Sequence, residues 1–381
     1  MDLELDENQR SITDLSLQIL RESLTRERLR AIEEGDDHVA HDEWKKLATA
    51  GLLGVPLAED VGGGGFGLVE ACLVLEQIGR TVAPLPYLQT VVGAAMTIDA
   101  FGTPAQRKAL LPRVVDGSLV LAVAFGEFGD ELATALPETK ATRSGERAAA
   151  RRDGDGWKLD GAKHLVPMAH VADRLLVSAR TGPNACGVFL IDRTAPGVTL
   201  ETTETTARER RSTVRLAGVP VAADDVVGAP EAGRDIVAAT TKRLLAGLCA
   251  TQAGVSAEAL KLTAAHVSDR EQFGQKIATF QAVAQRAADA YIDVEAITLT
   301  ARQAAWLLAH GRPADEALHT AKFWAAEAGF RVAHAAQHLH GGIGVDTEYP
   351  LFRYFRTTRQ IELTLGGAAV HLKELGDRIA G

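Results

Sequence analysis

From residue 6 to about residue 115, apolar positions recur every three to four residues, the period of helices with one buried face. Asp6 and Asn8 are candidate caps for a helix reaching roughly Leu24. A second helical segment starts near His41, with Trp44, Leu47, Ala48 and Leu52 on one face, and Gly51 and Gly54 break it. The run Gly62-Gly63-Gly64-Gly65-Phe66-Gly67 matches neither a GxGxxG loop after a strand nor a P-loop ending in Lys-Ser/Thr, and reads as a flexible turn. Helices follow over about 68–80, 88–101 and Pro104–Val115. The period then changes. Residues 119–125, 157–166, 174–180, 187–192 and 212–221 alternate like strands, and Asp153-Gly154-Asp155-Gly156 reads as a hairpin turn. Helical spacing returns over roughly 234–268, 276–309, 313–338 and 347–379. The class is therefore α+β. An N-terminal helical domain (1–117) precedes a central β domain (118–228) and a C-terminal four-helix bundle (229–381).

Composition sharpens this picture. Hydrophobic residues make up 46% but aromatics only 5%, so the helical cores must be built from Ala and Leu at close range. The formal net charge of −9 excludes a dedicated nucleic-acid binder, which carries a basic stripe. Cys72, Cys186 and Cys249 lie far apart, with neither zinc-ligand nor disulfide-framework spacing. The acidic N-terminus lacks a signal-peptide pattern, and no apolar run reaches the ~18 residues of a membrane span. These features read as a soluble, reduced, cytoplasmic protein.

Two segments carry candidate chemistry. Arg270-Glu271-Gln272-Phe273-Gly274 is followed by Ile277 and Phe280-Gln281, and Gln337-His338-Leu339-His340-Gly341-Gly342-Ile343-Gly344 opens the last helical stretch. An arginine offers an always-charged planar fork for an anion. Paired glycines let backbone approach a bulky group, Phe273 offers an apolar plane, and Gln337 can bond in two directions. His334, His338 and His340 lack the Glu of a zincin helix and read as helix surface with no metal site. Trp306 and Trp324 read as packing residues.

These segments resemble the acyl-CoA dehydrogenase signatures of Arg, Gln-Phe-Gly and Phe-Gln, and of Gln-x-x-Gly-Gly-x-Gly with one extra residue before the glycine pair. Glu348-Tyr349-Pro350 and Arg356 continue the match, and Leu159-Asp160-Gly161-Ala162-Lys163 resembles the family's Leu-Asn-Gly-x-Lys turn. The resemblance spans essentially the whole chain. It implies the acyl-CoA dehydrogenase fold, FAD as cofactor, and α,β-dehydrogenation of an acyl-CoA thioester. It further implies that Arg270, Gln272, Phe273, Gly274, Gln337, Gly341 and Gly342 hold the ADP end of a neighbouring subunit's FAD. The flavin ring would lie in the chain's own cleft, and an electron-transfer flavoprotein would take the electrons.

The match fails where that family does its chemistry. The usual base is a Glu in Tyr-Glu-Gly-Thr; counted from Arg356, the run here is Thr364-Leu365-Gly366-Gly367. Some members carry the Glu on an earlier helix, where Leu244 stands, and the neighbouring Arg243 reads as a helix-end charge. The threonines that bond the flavin ring are replaced in Gly126-Glu127-Phe128-Gly129-Asp130 and in Leu165-Val166-Pro167. Residues serving a neighbour's cofactor are kept, and those serving the chain's own are lost. This asymmetry implies the base-lacking subunit of a dimer or α2β2 tetramer with a paralogue, of the kind used in actinobacterial steroid side-chain degradation. The alternatives are a self-sufficient homo-oligomer with a relocated base, for which Glu362 is the candidate, a flavin monooxygenase, and a CoA-binding scaffold without redox activity.

Overall fold

The structure is a computed structural model and describes residues 4–130, 132, 149–153 and 156–380. Contacts group the chain into two compact units, Met1–Ala31 with Leu68–Ala83 and Leu245–Gly381, and Ile32–Gly67 with Pro84–Leu244. Helices α1 (Glu7–Ser23), α2 (Arg26–Glu33), α3 (His41–Thr49), α4 (Leu68–Thr81), α5 (Met96–Phe101) and α6 (Pro104–Val115) come first. Strands β1 (Leu121–Ala124), β2 (Ala149–Asp153), β3 (Gly156–Pro167), β4 (Arg174–Gly182), β5 (Ala185–Asp192), β6 (Val198–Glu204), β7 (Arg210–Val221) and β8 (Val226–Val227) follow. Then come α7 (Gly233–Asp269), the short strands β9 (Glu271–Gln272) and β10 (Gln275–Lys276), α8 (Gln281–Ala309), α9 (Asp315–His340), α10 (Leu351–Leu363) and α11 (Ala368–Ala380).

Several expectations change. Helix α2 is very polar and gave no apolar period, yet it buries Ile32. Residues 88–95 form a π-helix running into α5. Its Thr90 hydroxyl donates to Leu121 O (2.8 Å) and its Gln89 Oε1 accepts from Val123 N (3.3 Å), so polar side chains cover one edge of β1. The other edge of β1 pairs in parallel with β4. The sheet runs β6-β7-β3-β2-β4-β5-β8. Strand β6 was missed because its side chains are nearly all polar or exposed. Gly154 and Asp155 of the expected hairpin turn lie outside the described residues; Asp153 pairs with Gly156. The stretch Leu159–Lys163 lies inside β3 at a register shift, not in a turn, and Asp160 Oδ1 accepts from Gly218 N (2.8 Å). In the glycine run, the N–H groups of Gly62, Gly63, Gly64 and Gly65 all donate to nearby carbonyls at 2.9–3.0 Å, which makes it a closed turn.

The sheet core is aliphatic, with Leu159, Leu175, Val177, Phe189, Val214 and Val219 all fully buried. The helical unit packs through small residues, as in the cluster Ala253, Ile297 and Ala328 against Trp324. Its tightest point is the crossing of α4 and α7. A Cβ on Gly254 would sit 1.8 Å from Glu76 O, so only a residue without a side chain fits. Around this crossing, Glu258 pairs with Arg21 (2.9 Å) and Glu76 with Arg80 (3.1 Å).

The fourth segment of the bundle is not one helix. It breaks between α10 and α11, where Leu365 adopts φ 55° and Gly366 φ 88°. A left-handed leucine costs ~1 kcal/mol, so something must hold it. Lys322, fully buried on α9, donates to Glu362 O (3.0 Å) and Gly366 O (2.8 Å). His371, also fully buried, bonds Leu365 O through Nε2 (2.7 Å) and His319 through Nδ1 (2.9 Å). A carbonyl only accepts, so His371 Nε2 carries the proton and His319 Nδ1 donates to the His371 Nδ1 lone pair. Burial pushes His371 down to about 4, which fits a neutral ring. Carbonyls orphaned at the end of α10 are thus met by buried donors.

Two tests follow from this packing. Gly254→Ala should destabilise the chain by about 3 kcal/mol or more through forced separation of α4 and α7, read as a lower urea midpoint at unchanged slope. Burial pushes the Lys322 amine down to about 8 from an ordinary 10.5. Between those values the unfolded chain binds the proton more fully, so stability from this group rises with pH. Wild type should therefore gain stability relative to Lys322→Met as pH goes from about 8 to 10.5. A pH-independent difference would show the amine to be unperturbed.

Candidate functional site

Arg270 follows the last turn of α7, and its N–H bonds His266 O (2.9 Å). The chain then makes a two-stranded hairpin, Gln272 opposite Gln275 and Glu271 opposite Lys276, where a continuous helix from residue 276 was expected. Phe273 and Gly274 at the tip take φ 55° and 78°, and helix α8 starts only at Gln281, after a 3-10 turn over Ile277–Thr279 and an extended Phe280. The hairpin is anchored by Ile277 N to Arg270 O (2.9 Å) and by Lys276 Nζ to Asp269 O (2.7 Å). Arg270, Gln272 and Gly274 are exposed, and Phe273 is 94% exposed, touching Phe280 edge-on at 6.3 Å. Among the described residues no carboxylate pairs with the Arg270 guanidinium. A bulky aromatic in a strained backbone, bare to solvent beside a free cation, contributes nothing to this chain's own folding.

The second motif closes α9. Gly341 takes φ 62° and ψ −142°, a conformation reserved for glycine, and opens a 3-10 turn from Gly341 to Val345. Nothing lies within 4 Å of the position a Cβ would take on Gly341 or Gly342, and both are exposed. Gln337 pins the turn. Its amide nitrogen donates to Gly344 O and its oxygen accepts from Val345 N, both at 3.1 Å. One amide N–H remains for another partner. The two motifs, far apart in sequence, meet through rings: His266, one turn before Arg270, stacks on His340, which precedes Gly341, at 4.4 Å and 20°.

The two positions singled out for a base, 365 and 244, are both leucines. Leu365 sits in the break described above, and its side chain has no ionisable group. Glu362, the candidate for a relocated base, is ion-paired with Arg359 and mostly buried. In the other unit, Leu244 is buried, 5% exposed. Arg243 is interior to α7, not at a helix end. Burial lowers its pKa, its Nη1 reaches Met96 O and Thr97 Oγ1 only at 3.4 Å, and Phe101 lies 5.9 Å away. At the ring-side positions, Gly126 O accepts from His164 N (3.0 Å), while Leu165 is 59% exposed at φ 50°. Beside them Lys163, 2% exposed, donates to Glu127 Oε1 (2.8 Å), Phe125 O (3.2 Å) and Ser178 Oγ (3.1 Å).

Sequence reading missed Lys322, His266 and the Lys163–Glu127 pair as working parts. Lys322 and His266 stand at positions the helical period assigns to packing, and that mismatch was the available signal. Two of the imidazoles at the end of α9 are used locally: His334 lies against Phe330 (4.1 Å) and Phe355 (5.1 Å), and His340 bonds Ala336 O (2.8 Å). Trp324 packs on the bundle core, and Trp306 stacks on His310 at 4.1 Å. No helix among the described residues is long and apolar enough to cross a membrane.

Family models match along the chain: the acyl-CoA dehydrogenase N-terminal domain over residues 6–118, the middle domain over 138–217 and the C-terminal domain over 232–380. The acyl-CoA dehydrogenase FadE27 of Mycobacterium tuberculosis is 37% identical over 365 residues, covering 93% of this chain and 92% of its own. The ChsE4–ChsE5 complex of the same organism superposes with a TM-score of 0.91 at 37% identity over 100% of this chain and 99% of the matched one. A variant of the Tcur3481–Tcur3483 steroid ACAD gives 0.88 at 43% identity over 98% of each chain. The fold expected from the sequence, helical N- and C-terminal domains around a β middle domain, is the one these relatives share. The chain belongs to the acyl-CoA dehydrogenase family of oxidoreductases, which act on the CH–CH bond of acyl-CoA thioesters.

Proposed function

We propose that this chain is the subunit without a base in a heteromeric, FAD-dependent acyl-CoA dehydrogenase, and that it completes the cofactor site of a paralogous partner. The observation that carries this reading is the contrast between the two sets of residues. Arg270, Phe273, Gly341 and Gly342 are exposed and open, whereas both base positions are leucines.

The open set fits the ADP half of FAD. Arg270 supplies a fixed cation for a diphosphate. The glycine turn offers backbone with no Cβ in the way, and Phe273 offers an apolar plane. When bound, FAD accepts the hydride that leaves the acyl β-carbon. The α-proton must go to a carboxylate, and this chain presents none at residues 244 or 365. Glu362, engaged with Arg359, is a poor substitute. The partner would therefore supply the base and the contacts to the flavin ring. The relatives named above include a steroid ACAD and a two-protein complex. They support a steroid-type, polycyclic acyl-CoA thioester as substrate and a heteromeric assembly. The proposal takes that assembly as α2β2, working in the cytoplasm with an electron-transfer flavoprotein as acceptor.

The chain purified alone should carry close to no FAD, and co-expression with its paralogue should give one FAD per heterodimer, measured by absorbance after denaturation. A full complement on the isolated chain overturns the proposal. In the heteromer, Arg270→Ala should weaken flavin retention at least about tenfold, the loss of one charge-assisted bond. Unchanged retention would remove Arg270 from the site.

A further inference from the structure

The two open motifs approach each other through one feature that the function above does not use. His266, His340 and Tyr349 form a ring cluster directly beneath Arg270 and Gly341. His266 and His340 stack at 4.4 Å, and Tyr349 lies edge-on to His266 at 6.5 Å. His340 is 6% exposed. Its Nδ1 donates to Ala336 O (2.8 Å), and its Nε2 is 3.1 Å from Tyr349 Oη. Because Ala336 O can only accept, the proton sits on Nδ1, and neutral Nε2 accepts the Tyr349 hydroxyl. With His340 neutral, the cluster carries no charge of its own and the two imidazoles stack face to face.

We infer that the His266–His340–Tyr349 stack is the joint that holds the Arg270–Phe273 hairpin in register with the Gly341–Gly342 turn, and that protonating it separates the two motifs and releases a bound dinucleotide. This rests on the reading of those motifs as a cofactor cradle. The geometry makes the joint sensitive. A proton on Nε2 turns that bond round, so that Nε2 donates to Tyr349 Oη, and puts a positive charge 4.4 Å from the His266 ring. His266 faces Arg270 and Asp269 on its own helix, His340 on α9, and Tyr349 in the following turn. Arg26 of α2 acts on Tyr349, and Arg30 of α2 pairs with the adjacent Glu348 (2.8 Å). Burial and neighbouring positive charge hold both histidines below the usual imidazole range: Arg270 acts on His266, and His266 on His340. Two stacked imidazolium rings beside a free arginine repel one another, whereas two neutral rings attract. His266, His340 and Tyr349 are thus positioning residues, acting on the cofactor through the motifs they join.

The test compares wild type with His266→Phe and His266→Tyr, two variants that keep a ring in the stack but cannot protonate; either one suffices if the other misfolds. In the isolated chain without cofactor, histidine Hε1 resonances are followed by NMR from pH 8 to pH 4. His340 should titrate below the exposed imidazoles in wild type, and closer to them once His266 is replaced. In the flavin-bearing heteromer, FAD release is timed over the same range. Release from wild type should quicken by up to about tenfold per pH unit below the titration of the pair. Release from the ring variants should show a flatter profile. A His340 that titrates with the surface imidazoles, or identical release profiles in wild type and variants, overturns the inference. Arg270→Ala separates the two levels: if it loses flavin while the ring variants behave as wild type, only the joint is wrong. If Arg270→Ala keeps its flavin, the cradle reading itself falls.

Discussion

The approach of α4 to α7 is the constraint on which the helical unit depends. With few aromatics to fill space, its helices must come close enough for alanines to touch, and Gly254 lets the α7 backbone reach the Glu76 carbonyl. Ion pairs on Glu76 and Glu258 then surround the crossing without filling it. The position of α7 in turn sets where its last turn emerges. That turn carries His266 and Arg270, so the backbone contact at Gly254 places the first candidate motif.

Buried polar groups place the rest. Lys322 and His371 meet the carbonyls of Glu362, Leu365 and Gly366 and so stabilise a break that leucine's own backbone preference opposes. The break falls at one of the two positions singled out for a base from the sequence, and a leucine stands there. Lys163 plays a comparable part in the sheet, holding Glu127 and the carbonyl of Phe125. In both places a buried amine donates to carbonyl groups that a hydrophobic side chain would leave unpaired.

What the molecule exposes is equally informative. Phe273, Gly341 and Arg270 stay uncommitted, while the neighbouring Gln337, His340 and Lys276 are spent on holding them in place. A surface built at the cost of strain and solvent-exposed aromatic area is a surface for something outside the chain. Under the proposed function, that outside group is the diphosphate end of a flavin dinucleotide.

The three-part order of helices, strands and helices was written in the periodicity, because burial of one face enforces a period of 3.6 or 2 regardless of what covers that face. The two motifs were also legible, since Arg, Phe and paired glycines in fixed spacing are rare without a reason. That leucines stand at both candidate base positions was readable from residues 365 and 244 alone. Sequence could not show that Phe273 ends a hairpin, or that Leu365 breaks a helix. Both are left-handed bulky residues, and local preference argues against each. At Leu365 the strain is offset by donors from elsewhere in the fold, Lys322 and His371, whereas at Phe273 the hairpin is held at its own base by Lys276 and by Ile277 N to Arg270 O. Nor could sequence bring His266 to His340, because a ring stack across two helices depends on their packing distance, which no local pattern encodes.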